Sequence, residues 1–180
     1  MDYFEAIVKT LLEDDGFWTR QSFKVNLSKK EKRQIGKPTI PRPEIDLIAY
    51  KPASKEILAI EVKSFLDSSG VHLPCLQESH YISEGRYKLF TCSVYRETVF
   101  KRLNQDLIDT GLIASPLKIR LGLAAGNVYK KSEPDIREYL KKKDMFFWGP
   151  SEIKTRIQAL AKKGYENDPT VIAAKVLLRD

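Results

Sequence analysis

Glu44-Ile45-Asp46-Leu47-Ile48-Ala49-Tyr50 and Ile57-Leu58-Ala59-Ile60-Glu61-Val62-Lys63 are the two stretches whose reading decides the fold. Both read as strands, and Lys51-Pro52-Ala53-Ser54-Lys55 between them reads as a hairpin connection. The continuous apolar run before Glu61 predicts a strand buried on both faces. Side chains alternate along a strand, so Glu61 and Lys63 project together from one side while Val62 points into the opposite layer. Antiparallel pairing brings the start of the first strand beside the end of the second, which sets Asp46 near Glu61 and Lys63. Two charges on a core strand need partners, because desolvating an unpaired charge costs several kcal/mol.

Pro43 to Asp46, spread by Glu44 and Ile45, and Glu61-Val62-Lys63 together resemble the two halves of the PD-(D/E)xK, or restriction-endonuclease-like, superfamily. The resemblance spans roughly residues 1 to 125. It implies an α/β core in the order helix, three strands, helix, strand, with a mixed central sheet flanked by helices. Residues 126–180 then form a C-terminal helical appendage packed on the core or on a partner subunit. Members also carry an acid on a preceding helix, and Glu5 is the candidate here. It lies in register with Val8 and Leu12 on the apolar stripe of Tyr3 to Leu12. A second reading puts Glu5 at the stripe's edge, favoured by the helix dipole.

The activity implied is phosphodiester hydrolysis, most directly as a DNA endonuclease, with Glu5, Asp46, Glu61 and Lys63 as the catalytic residues. Asp46, Glu61 and the backbone carbonyl of Val62 would ligate Mg²⁺ or Mn²⁺, cations that take oxygen ligands and leave positions open for water and phosphate. Lys63 would orient the water or offset charge on the phosphorane. Glu44 is a fallback ligand. The alternative for the cluster is a buried ion pair of Lys63 with the carboxylates, without metal.

Composition agrees with a nucleic-acid partner. The 180 residues are 42% hydrophobic, enough for one core without disulfides, and the formal net charge is +7. Cys75 and Cys92 are too few for a disulfide framework, the first residues lack a signal peptide's pattern, and no apolar run reaches membrane-spanning length. A cytoplasmic protein with no membrane association is expected.

From Ser28 to Pro43 the chain reads as a loop nearly free of core residues, carrying Lys29, Lys30, Lys32, Arg33, Lys37 and Arg42. It is either a phosphate-contacting rim beside Asp46 or a solvated surface loop. Gln77 and Tyr81 match the QxxxY helix motif of the RecB-like branch, whose residues line the DNA-binding face; a packed amphipathic helix is the plainer reading. Tyr87 to Val94 is not settled by periodicity. Glu97 to Asp109 reads as an amphipathic helix stopped by Gly111, and Lys118 to Ala125 as an outer strand. Met145 to Trp148 is strand-like, and helices follow over Ile153 to Lys163 and Thr170 to Arg179. The last has almost no polar side chains to read bases, so it is expected to pack on the core or a second subunit.

Walker, dinucleotide-binding, zincin and nucleophile-elbow motifs are absent from the sequence. Two rival functions stand beside the nuclease. One is a non-catalytic member of the same fold that only binds nucleic acid or assembles with a partner. The other is an accessory protein of a mobile-element or defence system. A junction resolvase is a further reading, which dimerisation with two sites facing one junction would mark.

Overall fold

Ile57, Leu58, Ala59 and Ile60 have no exposed surface, because the strand that carries them lies in the middle of a five-stranded sheet. The computed structural model describes residues 3–178. The chain runs through α1 (Tyr3–Asp14), β1 (Trp18–Lys24), α2 (Lys29–Gln34), β2 (Glu44–Lys51) and β3 (Glu56–Lys63). It continues through α3 (Leu73–Gln77), α4 (Lys88–Thr91), α5 (Ser93–Asp109), β4 (Ile119–Ala125) and α6 (Glu133–Lys142). β5 (Phe146–Trp148), α7 (Pro150–Lys162) and α8 (Pro169–Leu178) complete it.

The sheet order is β1-β2-β3-β4-β5, with β1 to β3 an antiparallel meander and β3 to β5 parallel. This is the expected α/β architecture, a mixed sheet flanked by helices with helices at the C-terminal end. Between β2 and β3 the turn holds Lys55 at φ 52°. One face packs Val8, Leu11 and Leu12 of α1 against Leu58, Ile60 and Val62, with Ile153 and Leu160 of α7 and Val171 and Ala174 of α8. The other face packs Ile57 and Ala59 against α3 to α6 through Leu76, Phe90, Val99, Leu103 and Ile136. Among the described residues no helix is long and apolar enough to cross a membrane.

Two expectations change. Lys118 to Ala125 is not an outer strand: β4 pairs with β3 on one side and β5 on the other. Its basic residues are accommodated at the strand's start, where Arg120 reaches Glu56 at 2.7 Å and Lys118 pairs with Asp144. The strand-like piece at Met145 to Trp148 becomes β5, the edge strand beside β4. The segment from Ser28 is not all loop. Ser28 Oγ accepts the Glu31 N–H and Glu31 Oε2 accepts the Ser28 N–H at 2.7 Å, a reciprocal cap that starts α2. Ile35, 3% exposed, then anchors the segment to the core.

α5 begins at Ser93, earlier than Glu97, and α4 occupies the unsettled stretch before it. At the C-terminal end Asp168 Oδ1 accepts the N–H groups of Thr170 and Val171 and caps α8, which packs on the core. Arg179 lies outside the described residues.

Candidate active site

The β2–β3 ladder ends at Leu47↔Ile60, one step before Asp46 would meet Glu61. On the other side of β2 the register would set Ser22 opposite Asp46, yet that pair is also missing and Ser22 has φ 51°. The burial pattern changes face at the same point. Leu47 and Ala49 bury toward α1, whereas Ile45 buries on the opposite layer with Ile48. Asp46 therefore sits in a local break of the sheet. Its Oδ2 accepts the Val62 N–H at 2.8 Å, satisfying a strand donor that lacks its ladder partner, and also accepts Lys63 Nζ at 3.2 Å.

Lys63 Nζ lies 2.8 Å from Glu61 Oε2, so one ammonium bridges both carboxylates. All three side chains are largely buried, at 16–21% exposure. Val62 points into the α1 layer, as strand alternation requires. Burial pushes the Glu61 carboxyl above its ordinary value; Lys63 opposes this and the Asp46 charge reinforces it. Burial works against the Lys63 charge too, but Glu61 and then Asp46 outweigh it and hold the amine above its ordinary value. Lys63 is thus a standing cation, suited to offsetting negative charge and unsuited to removing a proton.

A cleft of about 430 Å³ opens onto Asp46 and Glu61. Its walls come from Ile40 to Glu44 on one side and from Gly85, Arg86, Lys88, Leu89 and Tyr95 on the other. Arg42 is steadied by Asn26, to whose Oδ1 it donates at 3.1 Å, and Glu44 pairs with Lys24 at 3.9 Å. Lys88 is close enough to Glu61 to lower its pKa. Burial pushes the Tyr95 hydroxyl up to about 12, with the Glu61 charge adding to it, so this wall presents a neutral phenol.

The fold brings Asp46, Glu61 and Lys63 together, with Val62 between the last two. Glu5 is half-buried on α1, the helix that packs on the opposite face of the sheet, and it is not among the residues lining the cleft. Gln77 and Tyr81 do not share the helix that a QxxxY motif takes. Gln77 ends a five-residue helix, Glu78 turns extended at φ −56°, ψ 152°, and Tyr81 is 98% exposed beyond it. Of the basic candidates, Lys29, Lys30, Lys32 and Arg33 lie on α2 and Lys37 just after it, outside the cleft lining. Arg86 and Lys88 escaped the sequence reading, because only the packing of the 85–88 segment brings them to Glu61.

The donor set fits a hard divalent cation. Two carboxylates and a nearby backbone carbonyl beside an open cleft are what Mg²⁺ uses when it keeps several waters. Among the described residues no group of three or more His, Cys, Asp or Glu side chains is placed to hold a metal, so any such site rests on two acids.

No family model matches this chain, and no curated protein matches it significantly. Among solved structures the chain is similar to the crystal structure of protein of unknown function AF1548, with a TM-score of 0.39 and 16% identity. The match covers 94% of this chain and 76% of that one, and at that score it carries no functional argument.

Proposed function

We propose that this chain is a Mg²⁺- or Mn²⁺-dependent nuclease that hydrolyses phosphodiester bonds, in the first place in DNA. One observation carries the reading: Asp46, Glu61 and Lys63 meet at a break in the sheet that opens into a cleft rimmed by Arg42, Arg86 and Lys88. Asp46 and Glu61, with the Val62 carbonyl, would hold the cation. When bound, it would supply the positive charge that polarises the scissile phosphate and acidifies a water.

The protein's own groups do the rest. Lys63, held by both carboxylates beside the cleft, would offset negative charge on the phosphate in the transition state. Arg42, Arg86 and Lys88 would position the phosphodiester backbone at the cleft mouth, with the lysines of α2 extending the basic surface. Roles in restriction, repair, recombination or mobile-element defence fit such an activity, in the cytoplasm, where the two free cysteines would stay reduced.

A second reading has its own support. Lys63 bridges both acids, so the cluster can stand as a buried ion pair without a metal, its one remaining negative charge facing the cations of the cleft, as in a non-catalytic nucleic-acid-binding protein. Circular, linear, single-stranded and branched DNA incubated with Mg²⁺ or EDTA separates the two. The nuclease reading expects cleavage with Mg²⁺ and none with EDTA or with Asp46→Asn. Binding without cleavage on every substrate would favour the second. A junction-cutting enzyme would further require a homodimer, read by light scattering.

A further inference from the structure

The loops after β3 and β4 are tied together by the main chain. Val71 bridges Val128 in a parallel pair, the Val71 N–H donates to Asn127 O at 3.0 Å, and the Tyr129 N–H donates to Val71 O at 2.9 Å. Asn127 Nδ2 adds a bond to Ser68 O at 2.8 Å. The approach is close enough that Gly70 has no room for a side chain: a Cβ there would meet Val128 N at 2.7 Å, and its φ is +85°.

This zipper stacks two aromatic rings. His72 and Tyr129 lie 4.0 Å apart at 13°, and Ser69 Oγ, 3.0 Å from His72 Nε2, fixes the imidazole. His72 lines a cavity of about 320 Å³, and Lys130 Nζ lies over the Tyr129 ring at 5.0 Å from its centroid, so a cation accompanies the stacked pair. The cavity shares Gly85 and Arg86 with the cleft at Asp46 and Glu61, and the Arg86 guanidinium lies over the Phe65 ring. Lys130 and Lys131 follow Tyr129, both exposed and both at positive φ. Glu78 also lines the cavity and pairs with His80 at 3.0 Å.

We propose that His72, backed by Tyr129, is a stacking platform for one unpaired nucleobase, next to the phosphate held in the cleft. It rests on the reading of the cleft as a nucleic-acid site. A rigid, half-buried aromatic pair with cations on its flanks is the arrangement that single-stranded nucleic acid uses, since every base has a π-face and the backbone needs positive charge. A base inside a duplex cannot offer its face to a ring. The favoured substrate is therefore a single strand, or a duplex with an unpaired nucleotide beside the cut.

The test measures binding in EDTA, so that no strand is cut. The probes are an oligothymidylate carrying one 2-aminopurine and a fully paired, blunt-ended duplex of the same length. His72→Ala should lose about tenfold in affinity for the single strand and keep its affinity for the duplex. His72→Phe, which keeps the ring and loses the Ser69 bond, should retain single-strand affinity. The 2-aminopurine should be quenched on the wild-type protein and on His72→Phe but not on His72→Ala. Unchanged single-strand affinity in His72→Ala, or equal loss on both probes, would overturn the platform. If the wild-type protein shows this base dependence yet cuts nothing with Mg²⁺, the nuclease reading fails and the platform stands.

Discussion

Asp46 Oδ2 stands 2.8 Å from the backbone nitrogen of Val62, doing for β3 what a β2 carbonyl would do one residue further along a regular ladder. The carboxylate has two tasks, closing the sheet and facing the cleft, and substitutions separate them.

Asp46→Asn keeps an oxygen for the Val62 N–H and removes the charge. It is expected to fold nearly as well as the wild type, bind nucleic acid and fail to cleave. Asp46→Ala leaves the part-buried N–H without its acceptor and should be less stable than Asp46→Asn by about 1–3 kcal/mol in urea unfolding. Both should lower the rate far more than they weaken binding, as expected for groups acting on the transition state. Parallel loss of binding in folded protein would contradict the assignment.

A cation held by Asp46 and Glu61 binds only the folded chain. Mg²⁺ or Mn²⁺ at about 100 times its dissociation constant should add about 2.7 kcal/mol, or roughly 5–10 °C in Tm. The shift should vanish in Asp46→Asn and in Glu61→Gln. A shift that survives both would place the cation elsewhere, and no shift in the wild type would support the metal-free ion-pair reading.

The raised Tyr95 hydroxyl makes stability fall at high pH. Its folded value of about 12 exceeds the ordinary 10.0, so the unfolded chain loses this proton first. The neutral phenol's contribution is whole below pH 10 and disappears as pH rises through about 12, to a limit of about 2–3 kcal/mol. Chemical denaturation from pH 8 to 12 should show a decline that Tyr95→Phe reduces. Equal declines in the two proteins would mean that another group governs it.

Gly70→Ala should weaken the zipper between the 68–72 and 127–131 segments, since its Cβ meets main-chain atoms of Asn127 and Val128 and its φ disfavours any L side chain. A loss of about 1–3 kcal/mol is expected, with accelerated amide exchange at Val71 and Tyr129. A wild-type exchange pattern would show that the close approach is not needed.

Replacing Lys29, Lys30, Lys32 and Arg33 with alanine should flatten the salt dependence of DNA binding by about 0.9 for each phosphate these side chains neutralise. Fluorescence anisotropy across a salt series reads the slope. An unchanged slope would confine phosphate binding to Arg42, Arg86, Lys88 and the cations beyond the cleft.

Asp46, Glu61 and Lys63 were legible because only two short-range rules are involved. Period-two alternation sets the side, and a short hairpin sets the neighbour. The reciprocal cap of α2 was equally written in the sequence, as Ser28-x-x-Glu31, but the density of lysines around it reads as loop. Glu5 could not be placed from sequence, because a helical stripe says which face of α1 is buried and not which face of the sheet it covers. Arg86 and Lys88 had no local signal, arriving from a crossover whose path depends on long-range packing. The outer-strand reading of β4 took Lys118 and Arg120 as signs of solvent, whereas these side chains end in ion pairs with Asp144 and Glu56.

β5, three residues long, is the last strand in the sequence and the neighbour that covers β4. During synthesis the hairpin of β2 and β3 can form early, but β4 leaves the ribosome with one row of amides and carbonyls bare until Phe146 to Trp148 follow. A nascent chain, or a fragment cut near residue 125, exposes there a template on which a second such chain could add its own strand. Secure folding of the half that carries Asp46, Glu61 and Lys63 therefore waits on the tail, and shortened versions made to isolate that half should be the ones that aggregate.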